Sequence, residues 1–256
     1  MNTVSTLTRE QTLREMGLGP VWKLAIRAPA EGANTFPLSQ GEGSRVRVGD
    51  DHRPLVGGCD EVLVSQDASS NDWSALQSAV LDCRLCTLCQ QRKQAVLGVG
   101  DVQADWLFVG EGPGADEDEK GEPFVGQAGK LLDNMLAAIE LKRGHDVYIA
   151  NAVKCRPPGN RTPTDEELNS CRPYLKQQIA MIKPRLIVTL GGTAAKTLLQ
   201  RDEIKVGSLR GQVHEYEGIP LIVTYHPSYL LRSPMEKAKA WEDLCFMRRT
   251  MFDLKQ

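Results

Sequence analysis

Four short runs of apolar residues stand out along the chain: DWLFVGE (105–111), DVYIANAV (146–153), RLIVTLG (185–191) and PLIVTYH (220–226). Each is continuous rather than alternating and rich in β-branched residues, which predicts strands buried on both faces, as in a parallel sheet. Around them the apolar period becomes helical. Trp73, Leu76, Val80 and Leu81 repeat at that spacing, and Leu131, Leu132, Met135, Leu136 and Ile139 mark one face of a helix over 128–141. Thr164 and Glu167 form a T-x-x-E capping box that opens a helix carrying Leu168, Leu175, Ile179 and Ile182. GGTAAKTLLQ continues helically after the third run, and MEKAKAWEDLCFMRRTMF closes the chain. The alternation predicts an α/β fold: a three-layer α/β/α sandwich around a four-stranded parallel sheet with right-handed crossovers.

Residues 1–72 follow neither period for long. Leu13, Met16, Leu18, Val21, Trp22 and Leu24 make a short amphipathic pattern, and a stretch rich in Gly, Pro, Ser and charge follows. The composition predicts an N-terminal extension and flexible linker ahead of a domain over 73–256. At 256 residues, 41% hydrophobic and 25% charged, the chain can bury a full core. Its start, MNTVSTLTREQTLREMGLGP, has neither a basic segment followed by an apolar run nor a stretch long enough for a bilayer, so a cytoplasmic, nucleoid-associated setting is expected. In that reducing compartment seven cysteines are expected as metal ligands or buried thiols rather than disulfides. The net charge of −2 offers no general attraction for a polyanion, so a nucleic-acid partner requires the basic residues to gather on one face.

Ligands of a parallel sheet bind beyond the carboxyl ends of its strands. There the chain reads GEGPGADED, NAVKCRPPG, GGTAAK and HPSYLLR. GEGPGA fits the loose dinucleotide pattern G-x-G-x-x-A. Against a dinucleotide, Pro113 stiffens the turn, and Asp116, Glu117, Asp118 and Glu119 set four negative charges where a pyrophosphate would lie. GGTAAKT lacks the spacing of a phosphate loop and reads as a plain strand-to-helix turn. Glu111, Asn151 and His226, from three strand ends, share one rim, and that convergence raises each above background. Cys83 and Cys86 form a C-x-x-C, while Cys155 and Cys171 follow the second strand, Cys171 on the inward face with Leu168 and Leu175. Four thiolates from two separated pieces of chain suit either a tetrahedral zinc or an iron–sulfur cluster, with Cys89 an alternative to one of them.

As a set and in order, CRLC, VGEGPGADEDEKGEPFVGQAGKLLD, NAVKCRPP, SCRPYL and LRGQVHEYEGIPLIVTYHPSYLLR resemble the iron–sulfur family 4 of the uracil-DNA glycosylases, from about Trp73 to about Phe252. The resemblance implies a monofunctional enzyme that flips uracil out of single- or double-stranded DNA and hydrolyses its N-glycosidic bond, with a [4Fe–4S] cluster on Cys83, Cys86, Cys155 and Cys171. It implies that Phe124 stacks on the base, Asn151 reads its edge, and His226 donates to O2 of the leaving base. Glu111 is the candidate to orient water, with Asp116 and Asp118 as alternative carboxylates, and Gly110, Gly112, Gly114 and Asp116 would lie around the nucleotide. Tyr229, Leu230, Leu231 and Arg232 would enter the minor groove, one leucine acting as the wedge. Lys154, Arg156, Arg161, Arg210 and Arg232 are candidates to meet phosphates, the alternative for each being a solvated surface charge.

Two departures qualify the likeness. Gly112 stands where the family motif usually has alanine, which is expected to loosen the turn. PPGNRTPTDEEL replaces the long basic loop of relatives that trap DNA covalently, so no crosslink is expected. The rival expectation is a non-catalytic binding module for uracil-containing or damaged DNA on the same fold. A monomer is expected because one flipped base needs one pocket, and the N-terminal extension is a candidate site for an unidentified protein partner.

Overall fold

The computed structural model describes residues 72–201 and 203–256, and the expectations for the N-terminal extension lie outside them. Asp72 caps the first helix, α1 (Trp73–Leu81), accepting from the Ser74 N–H at 2.9 Å. A short 3-10 turn (Thr87–Gln90) leads to β1 (Val99–Gly100), β2 (Trp106–Gly110), α2 (Ala115–Lys120), α3 (Gln127–Ala138) and β3 (Val147–Asn151). Then come α4 (Asp165–Ile182), β4 (Leu186–Leu190), α5 (Gly192–Leu199), α6 (Val206–Leu209), β5 (Val213–Tyr216), β6 (Ile219–Thr224), α7 (Pro227–Arg232) and α8 (Lys237–Leu254).

The four apolar runs form the central strands, which pair in parallel in the order β3-β2-β4-β6. The expected four-stranded parallel sheet is nevertheless too small. β1 joins β3 and β5 joins β6, both antiparallel, giving a six-stranded mixed sheet. Both additions are edge strands, which hold few apolar residues because one side faces solvent. β1 has two residues, and in β5 only Tyr216 is buried. β5 turns into β6 through Glu217 and Gly218, at φ 47° and 85°, the conformation a two-residue hairpin demands.

In β2, β3 and β4 every residue is buried. Alternate side chains go to opposite faces. Phe108, Ile149, Val188 and Ile222 pack against Leu132 and Leu136 of α3 and Leu244 and Met247 of α8. Leu107, Tyr148, Ile187 and Leu221 pack against Leu175 and Ile179 of α4 and Ala194 and Leu198 of α5. Helices therefore cover both faces of the sheet. α4 opens with the expected capping box: Thr164 Oγ1 accepts from the Glu167 N–H (3.3 Å), and Glu167 Oε2 accepts from the Thr164 N–H (2.8 Å). α3 ends at Ala138, short of its periodic pattern, as Glu140 turns to φ 64° on the way to β3.

A third apolar cluster joins Leu76 and Val80 of α1 to Leu168 and Tyr174 of α4 and to Cys155 and Cys171. Trp73 meets Tyr148 edge-on, with centroids 5.4 Å apart, fixing α1 beside β3. Among the described residues no helix is long and apolar enough to cross a membrane.

Candidate active site

β3 and β4 lie on opposite sides of β2, so the chain leaving these strands opens a crevice at the carboxyl edge of the sheet. The cleft has a volume of about 470 Å³ and is lined by Glu111, Gly112, Gly114, Phe124, Asn151 and His226 among others. Asn151 ends β3 opposite Gly110, and pairing continues beyond the strands: Ala152 N–H donates to Gly110 O (2.9 Å) and Val153 N–H to Glu111 O (3.1 Å). A Cβ on Gly110 would lie 2.5 Å from both Asn151 Oδ1 and Phe124 Cζ, so glycine there lets the amide and the ring approach. Asn151 is buried, and its Oδ1 has no hydrogen-bond partner. Such an orphan costs about 1–3 kcal/mol, which a ligand N–H would recover.

Phe124 adopts φ 55°, a left-handed conformation that an aromatic residue takes only under constraint. Glu117 supplies much of that constraint. Its Oε1 accepts from the N–H groups of Val125 (2.9 Å) and Gly126 (3.1 Å), and its Oε2 from that of Gly114 (3.0 Å), tying the Phe124 loop to the GEGPG turn. Arg143 donates to the carbonyls of Pro123 and Phe124, both at 2.8 Å. The Phe124 ring then sits 5.5 Å from that of His226. Within the acidic run Glu117 carries one local signal of this role, its place three residues after the N-cap Gly114 of α2.

His226 accepts at Nδ1 from the Ser228 N–H (3.1 Å), with Ser228 Oγ at 2.8 Å. The acceptor role of Nδ1 leaves the neutral ring's proton on Nε2. Burial pushes the pKa down to about 4; Arg232 adds to this and Glu117 opposes it. Gly191, at φ 94°, makes room for the ring: a Cβ there would stand 3.0 Å from His226 Cβ. Glu111 accepts from Thr193 Oγ1 at 2.5 Å. GGTAAKT is thus a strand-to-helix turn, as its sequence suggests, and in addition aims a hydroxyl at the cleft's carboxylate.

Gly112 packs closely against Val153. A Cβ there would meet Val153 Cγ2 at 2.7 Å, so the valine occupies the space an alanine would need. Asp116 is exposed on α2 and outside the cleft lining. Tyr229 and Leu231 are exposed on α7, at 37% and 43%, and Arg232 lines the rim. Leu230 is 1% exposed in the core beneath, so it is not available as a wedge.

Two of the expected phosphate contacts also fall away. Arg210 pairs with buried Asp243 (2.9 Å) and lies 5.3 Å over the Tyr225 ring. Lys154 is 1% exposed, donating to Asn151 O (2.8 Å) and Gln178 Oε1 (2.5 Å), with burial pushing its pKa down to about 8. Arg156 is half-buried and holds Asn160 Oδ1 (2.7 Å), while Arg161 lines the cleft in a two-pronged pair with Glu167.

Cys83, Cys86, Cys155 and Cys171 line one small cavity between α1 and α4, with Arg92, Lys154 and Tyr174. Arg92 donates to Cys155 Sγ (2.8 Å), and the Lys154 N–H to Cys171 Sγ (3.2 Å). Burial pushes the Cys155 thiol up to about 11 and the Cys171 thiol up to about 12. Such thiols ionise when a metal centre balances their charge, so the donor set fits a thiolate-bound metal centre. Among the described residues no three Cys, His, Asp or Glu are grouped so as to hold a metal ion. Cys89 faces a neighbouring cavity with Arg84 and Lys93.

Residues 97–245 match the model of the Uracil DNA glycosylase superfamily. Over 182 residues the chain is 44% identical to the type-4 uracil-DNA glycosylase of Pyrobaculum aerophilum, covering 68% of this chain and 91% of the relative. It is 43% identical over 188 residues to the type-4 uracil-DNA glycosylase of Archaeoglobus fulgidus, covering 68% and 94%. To the type-5 uracil-DNA glycosylase of Pyrobaculum aerophilum it is 32% identical over 146 residues, covering 51% and 64%. With the strand-end motifs and cysteines converging in one fold, the chain belongs to the uracil DNA glycosylase superfamily and, within it, to the type-4 family.

Proposed function

We propose that this chain is a monofunctional DNA glycosylase that extrudes uracil from single- or double-stranded DNA and hydrolyses its N-glycosidic bond, initiating base excision repair. One observation carries the reading: the unpartnered Asn151 Oδ1, buried in a cleft that Phe124 and His226 also line. Oδ1 accepts from uracil N3–H while the amide N–H donates to O4; cytosine presents the reverse pattern and leaves both groups unpaired. Extrusion costs a few kcal/mol, and stacking on Phe124 returns about 1–3 kcal/mol. His226, neutral with its proton on Nε2, donates to O2 as negative charge builds on the departing base. One such donor lowers the barrier by about 3–4 kcal/mol. Glu111, oriented by Thr193, holds the attacking water and stabilises the oxocarbenium-like sugar.

Among the described residues no lysine lines the cleft, which favours hydrolysis by water over a Schiff-base lyase. Leu231 is the exposed leucine that enters the minor groove, and Arg156, Arg161 and Arg232 approach phosphates. Cys83, Cys86, Cys155 and Cys171 hold a [4Fe–4S] cluster. All four line one cavity, and four thiolates are a ligand set that such a cluster takes. Through these residues a bound cluster would join the segment after α1, the segment after β3 and α4, and the hydrolysis needs no electron from it. The protein works as a monomer, one pocket to one flipped base.

Single-turnover excision on single-stranded and U·G duplex oligonucleotides tests the reading. Wild type should leave alkali-labile sites and Asn151→Ala few. Binding without cleavage by cluster-loaded wild type would overturn it in favour of a non-catalytic module.

A further inference from the structure

Among the described residues Lys154 is one of the largest fully buried side chains, an unusual place for an ammonium group. Its Nζ donates to the main-chain oxygen of Asn151 and to Gln178 Oε1. Gln178 is oriented for that role, because its Nε2 donates to Leu97 O (2.9 Å) and the Tyr148 hydroxyl (3.3 Å), which turns its oxygen toward the lysine. The peptide N–H of Lys154 meanwhile donates to Cys171 Sγ at 3.2 Å, and the residue lines the cysteine cavity. One residue thus touches the end of the base-reading strand with its ammonium and a cysteine of the cluster site with its backbone. Asn151 Oδ1 has no partner of its own, so the aim of this amide rests on its main chain and on the packing of Phe124 over Gly110.

We propose that Lys154 is a positioning residue for uracil recognition, a buried strut through which the occupied cysteine cavity holds the Asn151 main chain in the register that base reading requires. The proposal rests on the readings of Asn151 as the base reader and of the four cysteines as cluster ligands. An occupied cavity supplies anionic charge beside the ammonium, and the ammonium in turn pins the carbonyl of Asn151. A misplacement of about 1 Å at a reacting site costs on the order of 10²-fold in rate, so modest slack at this strand end is enough to matter.

The test compares wild type, Asn151→Ala, Lys154→Met and the double variant; methionine keeps the length and burial but neither donates nor carries charge. Lys154→Met should retain iron and sulfide and bind abasic-site duplex as wild type does, since abasic DNA presents no base to read. Its single-turnover excision of uracil should fall about 10–100-fold. The double variant should be no slower than Asn151→Ala alone, the non-additivity of residues acting through one group.

Wild-type excision by Lys154→Met, losses that multiply in the double variant, or an equal loss of abasic-DNA binding would each overturn the strut. Normal excision by Asn151→Ala would instead overturn the reading of Asn151, and iron-free but active wild type that of the cluster; either takes the proposal with it. If Lys154→Met does not fold, Gln178→Leu, which removes the second Nζ acceptor, carries the test with a smaller loss of the same pattern.

Discussion

The substrate cleft and the cysteine cavity draw on one short stretch, Asn151 to Cys155, yet they hold their side chains by opposite means. In the cleft three side chains are held by the chain's own hydrogen bonds. Glu117 binds three backbone N–H groups, Ser228 fixes the ring of His226, and Thr193 holds Glu111. In the cysteine cavity Cys155 and Cys171 resist ionisation, at about 11 and about 12, because burial penalises the thiolate unless a metal centre balances it. Glu117, His226 and Glu111 are organised by the chain itself, whereas the cavity would reach its bonding state through the proposed cluster, which the Lys154 strut would link to Asn151 alone. Preorganised donors act in catalysis without further rearrangement, while metal binding adds directly to folding free energy. Variants in the two regions should therefore separate rate from stability.

The largest expected effect is in the cleft. His226→Ala should slow single-turnover excision by about 10²–10³-fold while iron content stays at the wild-type value and stability falls by only about 0.5–2 kcal/mol, that of a lost helix cap. Loss of iron in that variant would break the separation. Cys171→Ser should do the reverse, emptying most molecules of iron and sulfide and lowering the thermal midpoint, with molecules that keep the cluster still preferring uracil to cytosine. Metal analysis beside differential scanning calorimetry reads both effects.

Glu117→Gln sharpens the comparison from within the cleft. An amide presents one acceptor oxygen where the carboxylate presents two, and its NH₂ group would face backbone N–H donors. Excision should slow about tenfold and stability fall by about 1–3 kcal/mol, since the loop that carries Phe124 loses its tether.

The smallest effect is a pH slope. His226 titrates near 6.5 when unfolded and near 4 when folded, so between these values the unfolded state binds the extra proton. Its contribution to stability is full above pH 6.5 and is lost as pH falls toward 4. Urea titrations across that window should show the decline in wild type and a flatter profile in His226→Gln, while excision shows no loss from His226 titration down to about pH 5.

What could be read in the chain followed from local rules. Continuous apolar runs identified the four central strands, Thr164 and Glu167 the start of α4, and glycine-rich or histidine-bearing strand ends the rim of the cleft. The edge strands β1 and β5 escaped because a strand with one solvent face lacks the apolar signature. Lys154, Arg210 and Leu230 were misassigned for a related reason. A charged residue near a binding motif, or a leucine in a surface helix, carries no local mark of which way it points.

Sequence by itself therefore determined the class of fold, the order of the strands that carry chemistry and the residue types at their ends, because these depend on period and spacing along one segment. Tertiary structure alone decided the use of each side chain. It buried Lys154 under Asn151, paired Arg210 with Asp243, set Leu230 in the core and Leu231 outside, and turned Glu117 from one of four surface acids into the tether of Phe124. Each outcome depends on groups far apart in the chain, such as Arg210 with Asp243 or Lys154 with Gln178, whose meeting is settled when the sheet and its two helical layers close around the core.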